Sequence, residues 1–108
     1  MSHKTMKVLI VEPDKEPYTA EIPTGLEFLQ KQVGGLIQAL YLSDAALICN
    51  EEGKLLGLPW NRPLFDEDGN LYDIIAGTFL VVGLTEDDFG SLTDEQIQKY
   101  TEIFSQNW

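Results

Sequence analysis

The segment Phe79-Leu80-Val81-Val82, led in by Thr78 and bracketed by Gly77 and Gly83, constrains this chain most, because it offers no polar side to water. A short, continuously apolar run rich in β-branched residues reads as a strand covered on both faces. It is therefore expected near the centre of a sheet, and the rest of the chain must supply cover for two sides.

Lys7-Val8-Leu9-Ile10-Val11 has the same character, and Pro13-Asp14 breaks it before the alternating stretch Tyr18-Thr19-Ala20-Glu21-Ile22. The pair predicts an antiparallel hairpin. Thr24-Gly25-Leu26-Glu27 then has the spacing of a capping box, with Leu26, Leu29 and Val33 on one helical face and Gly34-Gly35 as the stop. This predicts a helix of about three turns. One longer helix through both glycines is rejected, since together they would cost about 2 kcal/mol in a helix interior. A second helix starts at Thr93-Asp94-Glu95-Gln96, where Leu92 and Ile97 are spaced as a hydrophobic staple and Ile97, Tyr100, Ile103 and Phe104 form the apolar stripe.

Between the helices, Leu36 to Leu42 and Ala45 to Cys49 read as strands across a turn at Ser43-Asp44. Asn50 to Gly53 is a further turn, Lys54 to Leu58 a return strand, and Pro59 its end. Pro59 to Asp73, dense in Pro, Asn, Asp and Gly, reads as an irregular segment with one tight turn at Asp68-Gly69, and its length makes it a candidate functional loop. The elements do not alternate as βαβα. The fold class expected is therefore α+β, a small antiparallel or mixed sheet with two main helices packed on it. One domain is expected over residues 7–106, after a flexible N-terminus at residues 1–6.

A chain of 108 residues can bury a core that needs no disulfide or metal staple. Cys49 is the one cysteine, so no intrachain disulfide forms, and the polar start of the chain lacks the apolar stretch of an export signal. No run approaches the length of a membrane span. These features point to the cytoplasm, with no membrane association.

The net charge of −11 is unevenly placed: residues 1–43 carry five acids against four bases, residues 44–108 thirteen against three. Such a surface disfavours direct nucleic acid binding, whose affinity begins with Lys and Arg displacing counterions, and favours a basic protein partner. Glu86, Asp87 and Asp88 are its densest acidic run and are candidate binding residues.

Asn50-Glu51-Glu52-Gly53-Lys54, Gly57-Leu58-Pro59, Asn61-Arg62, Asp73-Ile74-Ile75-Ala76-Gly77-Thr78-Phe79 and Asp88-Phe89-Gly90-Ser91-Leu92 occur here in an order that resembles a family of small acidic proteins. It is a domain of unknown function encoded by phages, plasmids, other mobile elements and Gram-positive gut bacteria. The resemblance runs from about Met6 to Phe104. It implies no reaction; it implies a setting in which small proteins modulate host machinery or defence.

Chemistry needs more than this chain offers. The single His3 lies in the expected terminus, far from Cys49 in sequence, so no nucleophile and base are paired and no zinc ligand set exists. Asp66-Glu67-Asp68-Gly69-Asn70 resembles a calcium loop only superficially: with Gly69 at the sixth position, Leu64 and Ile75 occupy positions that must supply oxygen. No catalytic residue, metal or cofactor is expected, and the chain is not expected to be an enzyme.

Trp60, Asn61 and Arg62, between Pro59 and Pro63, form the most informative stretch, because the only Arg of the chain stands there beside an indole. Arg62 can grip a carboxylate or phosphate while Trp60 stacks or anchors an interface. The structural alternative pairs Arg62 with a nearby acid such as Asp66 or Asp73. The leading expectation is a non-enzymatic interaction protein of a mobile element or its host, binding a basic protein partner through its acidic surface. The alternative is a binder of a small anionic ligand or nucleotide at Arg62, Asn61 and Trp60.

Overall fold

A computed structural model describes residues 4–86 and 88–105. Eight strands and two helices follow in the order β1 (Thr5–Val11), β2 (Tyr18–Pro23), α1 (Leu26–Val33), β3 (Ile37–Tyr41), β4 (Ala46–Asn50), β5 (Trp60–Phe65), β6 (Leu71–Ala76), β7 (Phe79–Leu84), β8 (Phe89–Gly90) and α2 (Asp94–Phe104). The main sheet has the order β2-β1-β7-β4-β3 with every neighbour antiparallel, and the short β8 pairs with the end of β7. β5 and β6 form a separate antiparallel ribbon.

The apolar run is the centre of the sheet, as its composition requires. Phe79 and Val81 of β7 point into one hydrophobic cluster with Leu9, Leu47, Leu64, Ile75, Tyr100 and Phe104, while Leu80 and Val82 point into another with Val8, Ile10, Ile48, Leu29 and Val33. Alternation along β1, β7 and β4 thus feeds two cores, one on each side of the sheet. Helix α1 covers the second core. The first is shared by α2 and the β5–β6 ribbon, so the content is α+β but sheet-dominated, and a hairpin does part of the covering that the sequence assigned to helices alone.

Three local expectations are corrected. Thr24 does not cap α1: its N–H still bonds to the Lys4 carbonyl at 3.1 Å as an extension of the first hairpin, and the N-cap is Gly25 at φ 128°, with no side-chain cap. The chain turns from strand to helix at a residue where only glycine is unstrained, which leaves α1 with 8 residues and Leu26 exposed. Lys54 to Leu58 is not a strand, because Leu56 N–H bonds to Glu52 O and Leu58 N–H to Gly53 O, coiling the segment into successive turns. The stretch from Pro59 is not irregular: it is β5, a turn closed by Gly69 N–H to Asp66 O, and β6. Pro63 is tolerated there because a two-stranded ribbon leaves one side of each strand without ladder bonds. β1 begins at Thr5, two residues before the apolar run that marks it in the sequence, and His3 lies outside the described residues.

The cap on α2 forms as read: Thr93 Oγ1 accepts from Gln96 N–H at 3.1 Å and Gln96 Oε1 accepts from Thr93 N–H at 2.9 Å. Ile97, Tyr100 and Phe104 turn inward, while Ile103 at the margin of the stripe stays half exposed. The helix is also tied to the β3–β4 turn. Tyr100 donates its hydroxyl hydrogen bond to Asp44 Oδ1, Gln96 Nε2 donates to Asp44 O at 2.8 Å, and Lys99 Nζ lies 3.5 Å from the same carboxylate. Tyr100 responds with a phenol pushed up to about 12, first by burial and then by the bond to Asp44, while that bond holds Asp44 below the ordinary carboxylate value.

Thr93→Ala should cost about 1 kcal/mol in urea denaturation, whereas Thr24→Ala should stay within about 0.5 kcal/mol, because only Thr93 holds an orphan N–H. A raised folded-state pKa stabilises below the unfolded value of 10.0 and ceases to do so as pH climbs through about 12. Stability should therefore decline across that alkaline window in wild type and less so in Tyr100→Phe, read from denaturation midpoints at each pH.

Candidate functional site

The β5–β6 ribbon carries a β-bulge that decides where its side chains go. Trp60 pairs with Ala76 and Arg62 with Ile75, so Asn61 is an extra residue without a cross-strand partner. As a result Asn61 and Arg62 both point inward, 6% and 8% exposed, while Trp60 points out.

Asn61 uses both ends of its amide. Nδ2 donates to Val11 O at 2.8 Å and to Gly77 O at 2.9 Å, and Oδ1 accepts from Arg62 Nη1 at 2.8 Å. The end of β1 and the turn before β7 are thereby fastened to the ribbon. Arg62 continues the network: Nε donates to Phe104 O at 2.8 Å, Nη2 to Lys15 O at 2.6 Å, and Nη1 also to Asn61 O at 3.3 Å. Its partners are carbonyl oxygens rather than the acids proposed from the sequence. Asp73 is taken by Lys54 at 2.5 Å, and Asp66 Oδ1 accepts from the N–H groups of Asp68 and Asn70 in its own turn. Phe104 is the last residue of α2, whose final turn has no basic residue, so Arg62 brings positive charge from another element to the negative end of the helix dipole.

Trp60, Asn61 and Arg62 therefore do not converge. The first belongs to the outer side of the ribbon, a face it shares with Pro63 and Ile74, while Tyr72 sits at a second register shift, between the pairs Leu64–Asp73 and Phe65–Leu71. Trp60 is 57% and Tyr72 65% exposed, and the cross-strand pair Phe65 and Leu71 is exposed beside the acidic turn Asp66-Glu67-Asp68. Tyr72, Phe65 and Leu71 were not singled out from the sequence. The signal that could have found them is the apolar stretch Leu71 to Ala76 directly after a turn signal at Asp68-Gly69, the pattern of a hairpin's second strand.

A groove of about 390 Å³ separates the 51–57 turns from β6 and is lined by Gln38, Cys49, Lys54, Leu55, Asp73 and Ile74 among others. Burial, and secondarily the Asp73 carboxylate, pushes the Cys49 thiol up to about 11, against the opposing pull of Lys54. Such a thiol stays protonated at neutral pH and is a weak nucleophile.

Glu86 and Asp88 occupy the β7–β8 turn, away from the ribbon; Asp87 lies outside the described residues. Asp88 Oδ1 accepts from Phe89 N–H at 2.7 Å, and Asp88 O accepts from Thr85 N–H and Oγ1, each at 2.8 Å. With Met6, Leu26 and Phe89 it lines a smaller cleft of about 230 Å³ on the α1 side of the sheet.

These features define a sheet-centred α+β domain whose second hairpin is anchored from inside and displays an aromatic outer face. The chain belongs to the family described as Domain of unknown function (DUF3846), which matches it over residues 6–105. Comparison with curated proteins and with solved structures gives no match. Among the described residues no helix is long and apolar enough to cross a membrane.

Arg62→Ala should lower stability by about 3 kcal/mol or more, because buried acceptors on three separate segments lose a charged donor. Arg62→Lys should recover only part of the loss, since an ammonium cannot span the same fork. Chemical denaturation of both variants checks this; an unchanged midpoint for Arg62→Ala would reject the anchoring role.

Proposed function

We propose that this domain is a non-enzymatic interaction protein that docks a protein partner through the outer face of its second hairpin. The observation that carries the reading is the exposure of Trp60 and Tyr72 on a ribbon that Asn61 and Arg62 fix from within. Large aromatics supply most hot-spot energy at protein interfaces, and a surface held rigid beforehand loses little entropy on binding. Asp66, Glu67 and Asp68 at the turn end of the same ribbon, with the charge of −11 behind them, select a partner that carries Lys or Arg to one side of its apolar contact. In the setting implied by the sequence resemblance, the partner is a protein of the host or of a mobile element inside the cytoplasm. The anionic-ligand alternative draws on Arg62, whose donors are engaged by Phe104, Lys15 and Asn61, and it has less support.

A Trp60→Ala/Tyr72→Ala double variant should keep the wild-type melting temperature, because both side chains are mostly in water, and should lose partner binding by at least about tenfold. Affinity capture from host lysate with wild type and double variant in parallel, followed by titration of the captured protein, measures this. Retention of the same protein with equal affinity by both would defeat the proposal. Binding should also weaken as salt rises, since screening removes the attraction to a basic rim.

A further inference from the structure

The two edges of the main sheet are unlike each other. At the β2 edge, Thr24 N–H bonds to Lys4 O, so alternation turns the main-chain groups of Thr19, Glu21 and Pro23 away from β1. That edge is blunted twice: Pro23 has no N–H to offer, and Glu21 sets a carboxylate beside it. At the β3 edge, Leu36 O accepts from Glu51 N–H and Leu42 N–H donates to Ala45 O, each at 2.8 Å. Alternation therefore directs Gln38 and Leu40 toward β4 and turns the N–H and C=O of Ile37, Ala39 and Tyr41 outward. No proline, charge or bulge interrupts them.

The side chains at this edge are unfinished as well. Ile37 and Ala39 extend one hydrophobic core and Leu40 and Leu42 the other, yet all four are only partly covered, and Tyr41 is 70% exposed. Both cores run out where the sheet stops.

We infer that the β3 edge pairs with the β3 edge of a second copy of this chain, joining two sheets into one across a two-fold axis at Ala39. Charge decides in favour of a second copy over a basic partner. From Gly34 to Asn50 the only charged residue is Asp44, and Lys99 stands 3.5 Å from its carboxylate, so two chains of net charge −11 approach along this edge without opposing acids. A basic partner gains nothing there. The register is fixed by which groups face outward: Ala39 meets Ala39, Ile37 meets Tyr41, and each such pair exchanges both N–H···O bonds. Gln38 then stands opposite Leu40 and Leu36 opposite Leu42, and each core continues onto the same face of the second copy.

The test is sedimentation equilibrium of the full chain across protein concentration, with wild type, Tyr41→Lys and Ala39→Pro. Wild type should approach twice the 12.2 kDa chain mass as concentration rises. Tyr41→Lys, at an exposed site, should stay at the monomer mass with an unchanged circular dichroism spectrum. Ala39→Pro removes an outward N–H that β4 does not use, and should do the same. Amide exchange at Ile37, Ala39 and Tyr41 in wild type should slow as concentration rises. The dimer should tighten with added salt, because screening relieves repulsion between two acidic chains; the hairpin complex proposed above weakens with salt, so failure of one is distinguishable from failure of the other. A wild type that remains at 12.2 kDa at about 1 mM, with those three amides in concentration-independent exchange, would overturn the inference and leave the edge to a strand of some other protein. A dimer retained in both variants would overturn it too, by placing the interface elsewhere.

Discussion

Burial of three adjacent strands on both faces is the constraint on which the rest of this structure depends. β1, β7 and β4 place alternate side chains into two cores, and neither core exists unless something apolar lies over each side of the sheet. α1 answers on one side. On the other, α2 is too short to span the sheet alone, and the β5–β6 ribbon completes the cover through Leu64 and Ile75. The separation of this ribbon from the main sheet is thus a packing requirement before it is anything functional.

Once the ribbon is needed as cover, it must be held against the sheet by something other than ladder hydrogen bonds, which it shares with no other strand. The bulge at Asn61 provides that hold. By turning two consecutive polar residues inward, it lets one amide and one guanidinium reach the end of β1, the turn before β7, the β1–β2 connection and the last carbonyl of α2. A buried charge without an acid partner is costly unless its donors are met, and here they meet oxygens that are themselves short of donors, including the C-terminal end of a helix. Exposed Trp60 and Tyr72 take no part in that hold.

Charge separates two surfaces of the domain. The acidic turn of the ribbon lies beside the exposed pair Phe65 and Leu71, whereas the β3 edge is nearly neutral and presents main-chain groups. A net charge of −11 repels a second copy of the chain wherever acids face each other, and the β3 edge carries few of them.

The sequence by itself determined the elements whose signal is local: the apolar central strand, the first hairpin, the β3–β4 pair and the capped start of α2 at Thr93. Each rests on periodicity or on contacts within a few residues, which a linear reading contains. Thr24 shows the limit of that logic, since it has the same capping spacing, yet its N–H bonds to the Lys4 carbonyl beside the first hairpin and Gly25 takes the N-cap. The second hairpin was hidden for a related reason. Its Pro, Asn and Asp residues carry turn propensity, and only packing against a distant core makes strand the better state. Trp60, Asn61 and Arg62 were legible as unusual, but not as divided. Which of them faces water depends on a bulge whose inward residues bond to Val11, Lys15, Gly77 and Phe104, and contacts across such distances in sequence are set by tertiary structure alone.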